Sequence, residues 1–153
     1  MGQKVNPIGL RLGINKTWKS KWFVDRKEYA DTLHEDLRLR KELLECPEVQ
    51  GAEISDVEII RKPQRITIVI PTSRPGIIIG SKGANVEKLG ARLQNLSNKK
   101  VQIKIKEIKK PEADAQLIAM NVAKQLVARG SFRRAMKTAV SKAIQSGAQG
   151  AKI

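Results

Sequence analysis

Residues 74–83, Arg-Pro-Gly-Ile-Ile-Ile-Gly-Ser-Lys-Gly, constrain this chain more than any other stretch. Three isoleucines run into two glycines that bracket Ser81 and Lys82, and a helical pattern follows. Such a bend has no side-chain bulk at its ends. A phosphate chain can therefore approach its N–H groups at the start of the next helix. Lys82 adds a point charge. A bare Gly-x-x-Gly is a common turn, and the isoleucines before it and the helix after it give this one its weight. A nucleotide-binding P-loop does not fit. That loop needs Gly, four residues, then Gly-Lys-Ser/Thr. Here three residues separate Gly76 from Gly80, and no hydroxyl follows Lys82.

The formal net charge of +15, from 30 Lys and Arg against 15 Asp and Glu, favours a polyanionic partner. Nucleic acid comes first and an anionic membrane surface second. The charge is uneven: residues 1–24 hold no acid and none follows Asp114. Basic ends around a mixed middle read as arms laid on a polyanion. The single cysteine, Cys46, allows no disulfide within the chain and points to a reducing compartment. With no long apolar run or signal peptide, the expectation is a cytoplasmic protein with no membrane partner. The aromatic residues are few: Trp18, Trp22, Phe23, Tyr29 and Phe132. That argues against stacking bases on a sheet or barrel, and suits backbone, shape and aliphatic contacts.

Taken in order, residues 2–23 carry five cations and early helix breakers at Gly2, Pro7, Gly9 and Gly13. They predict an extended arm, too rich in Ile, Leu and Trp for a free tail. Asp25 with Glu28 predicts a capping box opening a helix. Ala30, Leu33, Leu37 and Leu44 mark its apolar face, and Pro47 closes it. His34 sits in it as a surface or packing residue, because a zinc His-Glu-x-x-His would need histidine at Arg38. Two strands follow around Val57–Ile59 and Ile66–Ile70, joined as a hairpin by the basic turn 61–65, with Pro71 ending the second. Pro75 starts a short helix. After the bend a helix carries Val86, Leu89, Leu93 and Leu96, and a third strand points Val101, Ile103 and Ile105 inward with a lysine row outward. A further helix runs from Glu112 to about Ala128, with Ala113, Leu117, Met120, Leu126 and Val127 as its buried residues. Ser131 caps a last one bearing Phe132, Met136, Val140 and Ile144, which Gly147 stops. Ala151–Ile153 read as the first residues of a strand.

The order helix, hairpin, short helix, Gly-x-x-Gly, helix, strand resembles the type II KH domain, which has its hairpin before the loop. The resemblance implies an α+β fold with helices on one face of a three-stranded mixed sheet. It also implies a Gly-x-x-Gly loop that clamps about four backbone nucleotides. The groove beside the loop would be lined by Ile77, Ile78, Ile79 and the third strand.

Five further blocks carry a wider resemblance: Gly2 through Ile14, Lys21-Trp22-Phe23, Leu33-His34-Glu35-Asp36, Arg74 through Gly83, and Ser131 through Lys137. In this order they resemble the family of the third protein of the bacterial small ribosomal subunit. That family implies contact with ribosomal RNA of the subunit head and a place by the messenger RNA entry path. Its expected neighbours are the tenth and fourteenth proteins of the subunit, with the second nearby. Arg133, Arg134 and Lys137 match its basic cluster at the entry tunnel. The RNA-binding residues expected are Gly80, Ser81, Lys82, Gly83, Arg74, Ile79, Arg133, Arg134, Lys137, Lys4 and Arg11. The expected division is a basic arm over 1–24, the KH domain over 25–110, a connecting helix over 111–130, and over 131–153 the beginning of a second, incomplete domain.

No catalytic residue, metal, cofactor or small-molecule substrate is expected. There are no paired carboxylates and no nucleophile with a base, and one His and one Cys leave little to build from. Two alternatives stay open at this level. One is a free-standing KH RNA-binding or ribosome-assembly factor. The other is an enzyme such as a DNA lyase, which needs only a desolvated lysine.

Overall fold

A computed structural model describes residues 2–153. The elements in chain order are α1 (Pro7–Arg11), β1 (Ser20–Lys21), α2 (Tyr29–Glu45), β2 (Glu58–Lys62), β3 (Arg65–Thr72), α3 (Pro75–Ile79), α4 (Ala84–Gln94), β4 (Lys100–Glu107), α5 (Ala115–Val127) and α6 (Phe132–Gln145). The expected hairpin stands before the bend, with Pro63 and Gln64 as its turn.

The sheet is mixed and follows the order β1-β2-β3-β4. β2 and β3 are antiparallel, while β3 and β4 run parallel from Arg65↔Lys100 to Thr72↔Glu107. The fourth strand comes from the arm: Ser20 and Lys21 pair parallel with Ile59 and Ile60 at the sheet's edge. The arm is thus part of the domain rather than fully extended. It also holds a helical turn, because Asn6 Oδ1 accepts from the N–H groups of Ile8 and Gly9 and Pro7 suits the first helical position.

The sheet's two faces follow from its register. Ile59, Ile68 and Ile103 lie abreast on the helix side, and Ile60, Thr67 and Gln102 on the other. Leu39 and Leu43 of α2, Ile78 of α3, and Leu89 and Leu93 of α4 cover the first face, all fully buried with Ile59, Ile66, Ile68 and Ile70. Burying each such side chain contributes about 1.5–3 kcal/mol.

Several sequence expectations are corrected. Pro71 does not end β3, which runs on to Thr72. Its carbonyl accepts from Ser55 N–H on the β2 side, so its missing donor also faces away from the β3–β4 ladder. The capping box is absent: 26–28 form a turn, α2 starts at Tyr29, and Glu28 caps nothing with its side chain. α2 also turns a different face inward. Leu37 and Leu44 are 53% and 59% exposed, and the buried stripe is Asp36, Leu39 and Leu43. A buried aspartate in that stripe hides it from an apolar-periodicity reading.

The helix expected from Glu112 begins after a 3-10 turn at Pro111–Ala113, capped by Asp114 Oδ1, which accepts from Gln116 and Leu117 N–H. Its buried residues are Leu117 and Val122, while Ala113, Leu126 and Val127 are exposed, because α6 covers only one side of it. Ser131 stands at the α6 N-cap without a side-chain bond. Residues 151–153 form no strand, having no neighbour to pair with among the described residues.

Candidate nucleic-acid interface

The bend is built by two short helices meeting end to end. Proline at the first position fixes the start of α3, and Gly80 N–H donates to Gly76 O at 2.9 Å to close it. The chain then leaves in a conformation open essentially to glycine alone, with φ 70° and ψ −175° at Gly80. Ser81–Gly83 make a 3-10 turn in which Lys82 (φ 53°) and Gly83 (φ 86°) are both left-handed, and α4 begins at Ala84. A left-handed lysine costs about 1–2 kcal/mol relative to helical backbone.

Asn85 holds this geometry and was invisible in the sequence. Its Nδ2 donates to Ile77 O at 3.0 Å, spanning the bend from α4 back to α3. No acceptor is set against the Ser81 and Lys82 N–H groups among the described residues. Both residues are exposed. The bend therefore presents free donors and a lysine at the start of an eleven-residue helix, an arrangement suited to an anion.

The three isoleucines do not line a groove together. At about 100° per residue a helix sends neighbours in different directions. Ile78 is fully buried in the core, Ile77 is half-buried, and only Ile79, 41% exposed, stands beside the bend. This corrects the expectation for Ile78.

The remaining expected contact residues lie elsewhere. Arg74 pairs through Nη2 with Glu53 Oε1 at 3.2 Å, and Lys124 of α5 reaches the same oxygen at 3.6 Å. Arg74 thus lines a cavity of about 200 Å³ shared with α5 and α6 rather than the bend. Arg133, Arg134 and Lys137 are exposed on α6, with the Arg133 guanidinium 5.5 Å from the Phe132 ring centre. α6 packs on α5 and the Pro111–Ala113 turn. Lys4 and Arg11 are exposed in the arm, where Arg11 Nη1 donates to Pro7 O at 2.7 Å. The structure therefore brings together the bend residues and, separately, the α6 cations, and it joins neither group to the arm.

A polar network anchors the arm. Asp36, 1% exposed, receives Trp22 Nε1 at 2.7 Å and Ser20 Oγ at 2.9 Å on one oxygen. Arg61 Nε and Nη2 meet its other oxygen at 2.7 and 2.6 Å. Arg61 Nη1 bonds Glu35 at 2.7 Å, and Arg40 donates to Ser20 Oγ and to Val57 O. Among the described residues no three His, Cys, Asp or Glu side chains are placed to hold a metal ion, and no helix is long and apolar enough to cross a membrane.

Residues 39–113 match the model of the KH domain family. All 153 residues align with curated proteins called small ribosomal subunit protein uS3. Identity is 58% with that of Treponema pallidum, 60% with that of Treponema denticola, and 51% over 154 aligned residues with that of Borreliella burgdorferi. The chain spans 62%, 64% and 53% of these relatives' lengths.

Proposed function

We propose that the chain is an RNA-binding structural component of the small ribosomal subunit, a reading supported by the match of residues 39–113 to the KH domain family and by the alignment of all 153 residues with small ribosomal subunit proteins uS3. On this reading it works in the ribosome, in the cytoplasm, without catalysis. It holds ribosomal RNA of the head and lines the path of entering messenger RNA, beside the tenth and fourteenth proteins of the subunit and near the second. Residues 1–24 act as a basic arm, 25–110 as the RNA-binding domain and 111–130 as a connector. Residues 131–153 open a further unit whose apolar face includes the exposed Phe132 and Ile144.

One observation supports the RNA reading above the others: the bend at Gly80–Gly83. Its free N–H groups and Lys82 would seat the sugar–phosphate chain, and Ile79 would touch a base. Arg133 and Lys137 project one turn apart on α6, with Arg134 beside them, and would hold message phosphates. Arg74 contributes by holding α3 to Glu53.

The test is binding of single-stranded RNA by the Ser81→Asp/Lys82→Asp variant. Affinity should fall at least tenfold with an unchanged circular dichroism spectrum, and log affinity of the parent should fall by about 0.7 per phosphate neutralised as log salt rises. Unchanged affinity removes the bend from the interface. Loss of the chain from small subunits in a high-salt wash would favour a detachable factor over a structural component.

A further inference from the structure

Three of the chain's five aromatic side chains, scattered between residues 18 and 29, come together in one place. Trp18, Trp22 and Tyr29 line an open groove of about 750 Å³ with Leu33 and Lys21. Trp18 is 58% exposed and Tyr29 51% exposed. The Trp22 and Tyr29 rings sit 5.5 Å apart at 54°. The groove lies on the β1 edge of the sheet, whereas the bend lies between α3 and α4 beyond β3.

We propose that this groove is a second RNA contact, where ring faces stack an unpaired base of a single strand. The proposal rests on the RNA-binding reading above and adds a site to it. Three features favour a base over an apolar peptide. Three of the seven lining residues are aromatic and one is aliphatic, the others being Thr17, Ser20 and Lys21, and every base offers a π face to such rings. One wall of the groove is fixed before any ligand arrives. The Trp22 indole is held by its N–H bond to Asp36, and β1 is hydrogen-bonded into the sheet.

The chain's charge is the third. Residues 16–33 carry five cations against Asp25, Glu28 and Asp31. Two of the cations are paired, Lys19 with Asp56 at 2.9 Å and Lys21 with Glu58 at 3.0 Å. Lys16, Arg26 and Lys27 are exposed and form no ion pair among the described residues, and neither do Asp25, Glu28 and Asp31, so the phosphates that flank a stacked base would be drawn by the net +15 of the whole chain rather than by a local surplus.

Trp18 and Trp22 are the chain's two tryptophans, so tryptophan emission reports this groove alone. The experiment titrates the full chain with a decamer of riboadenylate, with an abasic decamer of the same backbone, and with an apolar amphipathic peptide. Riboadenylate should quench the emission and the abasic strand should not. Trp18→Ala should weaken riboadenylate binding about tenfold, and Trp18→Phe should restore most of it. The Ser81→Asp/Lys82→Asp variant should still be quenched at saturating RNA, which separates failure of this site from failure of the bend. Equal quenching by the abasic strand, absence of quenching by riboadenylate, or a response to the peptide alone would each overturn the proposal.

Discussion

Asn85 reaches across the bend to Ile77. Its Nδ2 lies 3.0 Å from the Ile77 carbonyl, and the space this side chain fills begins where a Cβ on Gly80 would stand, 2.5 Å from Asn85 Cγ. One contact therefore explains two sequence features, the glycine and the sharp entry into α4.

The two glycines of the bend should respond differently to alanine. At Gly80 the methyl meets Asn85 and the backbone lies in a region nearly closed to other residues. Gly80→Ala should cost about 3 kcal/mol in urea unfolding, from backbone strain plus the clash. Gly83 has φ 86° but open space around it, so Gly83→Ala should cost about 1 kcal/mol. Equal losses would show that packing against Asn85 does not matter.

Asp36 should be the most sensitive polar residue. Asp36→Asn leaves the Arg61 guanidinium, only 5% exposed, with Glu35 as its remaining carboxylate partner. Removing one member of a buried pair typically costs about 3–5 kcal/mol, and the residual Glu35 contact places this case near 3 kcal/mol. The same change weakens the hold on Trp22 and Ser20. Limited trypsin digestion should then cut faster at Lys19 and Lys21 than in the parent. A stability loss without faster cutting there would disconnect the network from the arm.

Two leucines on α2 separate the observed buried face from the one its apolar spacing suggests. Leu39 is fully buried and Leu37 is 53% exposed. Leu39→Ala should cost about 2–5 kcal/mol and Leu37→Ala less than about 0.5 kcal/mol. Chemical denaturation of both variants measures the difference, and a reversed order would restore the Leu33–Leu37–Leu44 face.

Cys46 sets a pH dependence. Burial pushes its thiol above the ordinary value, against a smaller lowering by Arg92, whose Nη1 donates to Sγ at 3.5 Å. The folded state thus holds a proton that the unfolded chain releases at about pH 8.5. The associated stability is fully present below that pH and declines as pH rises through the folded value, by at most about 1.4 kcal/mol per unit. Urea midpoints between pH 8 and 10 should show this decline, and Cys46→Ala should flatten it. At pH 8 the thiol should react with a disulfide reagent only as fast as the protein opens.

Much of the core of sheet and helices was legible from the sequence because its signals are local. Alternating isoleucines over 66–70 and 101–105, a proline at the start of α3 and two glycines at the bend each act through a few neighbouring bonds. The periodicities of strand and helix carry that information within a single turn or pleat. Their order along the chain was enough to place the hairpin before the bend.

The choice of the inward face of α2 was different, and so was the fate of the arm. Both turn on Asp36, whose burial depends on Arg61 from β2 and on Trp22 from a segment fourteen residues upstream. A charge is hidden only when distant partners arrive to neutralise it, and no local pattern records their arrival. In the same way Arg74 was drawn to Glu53, and three aromatic side chains were gathered at one edge of the sheet. Local chemistry determined the elements and the bend; long-range pairing decided which faces closed and which cations remained free.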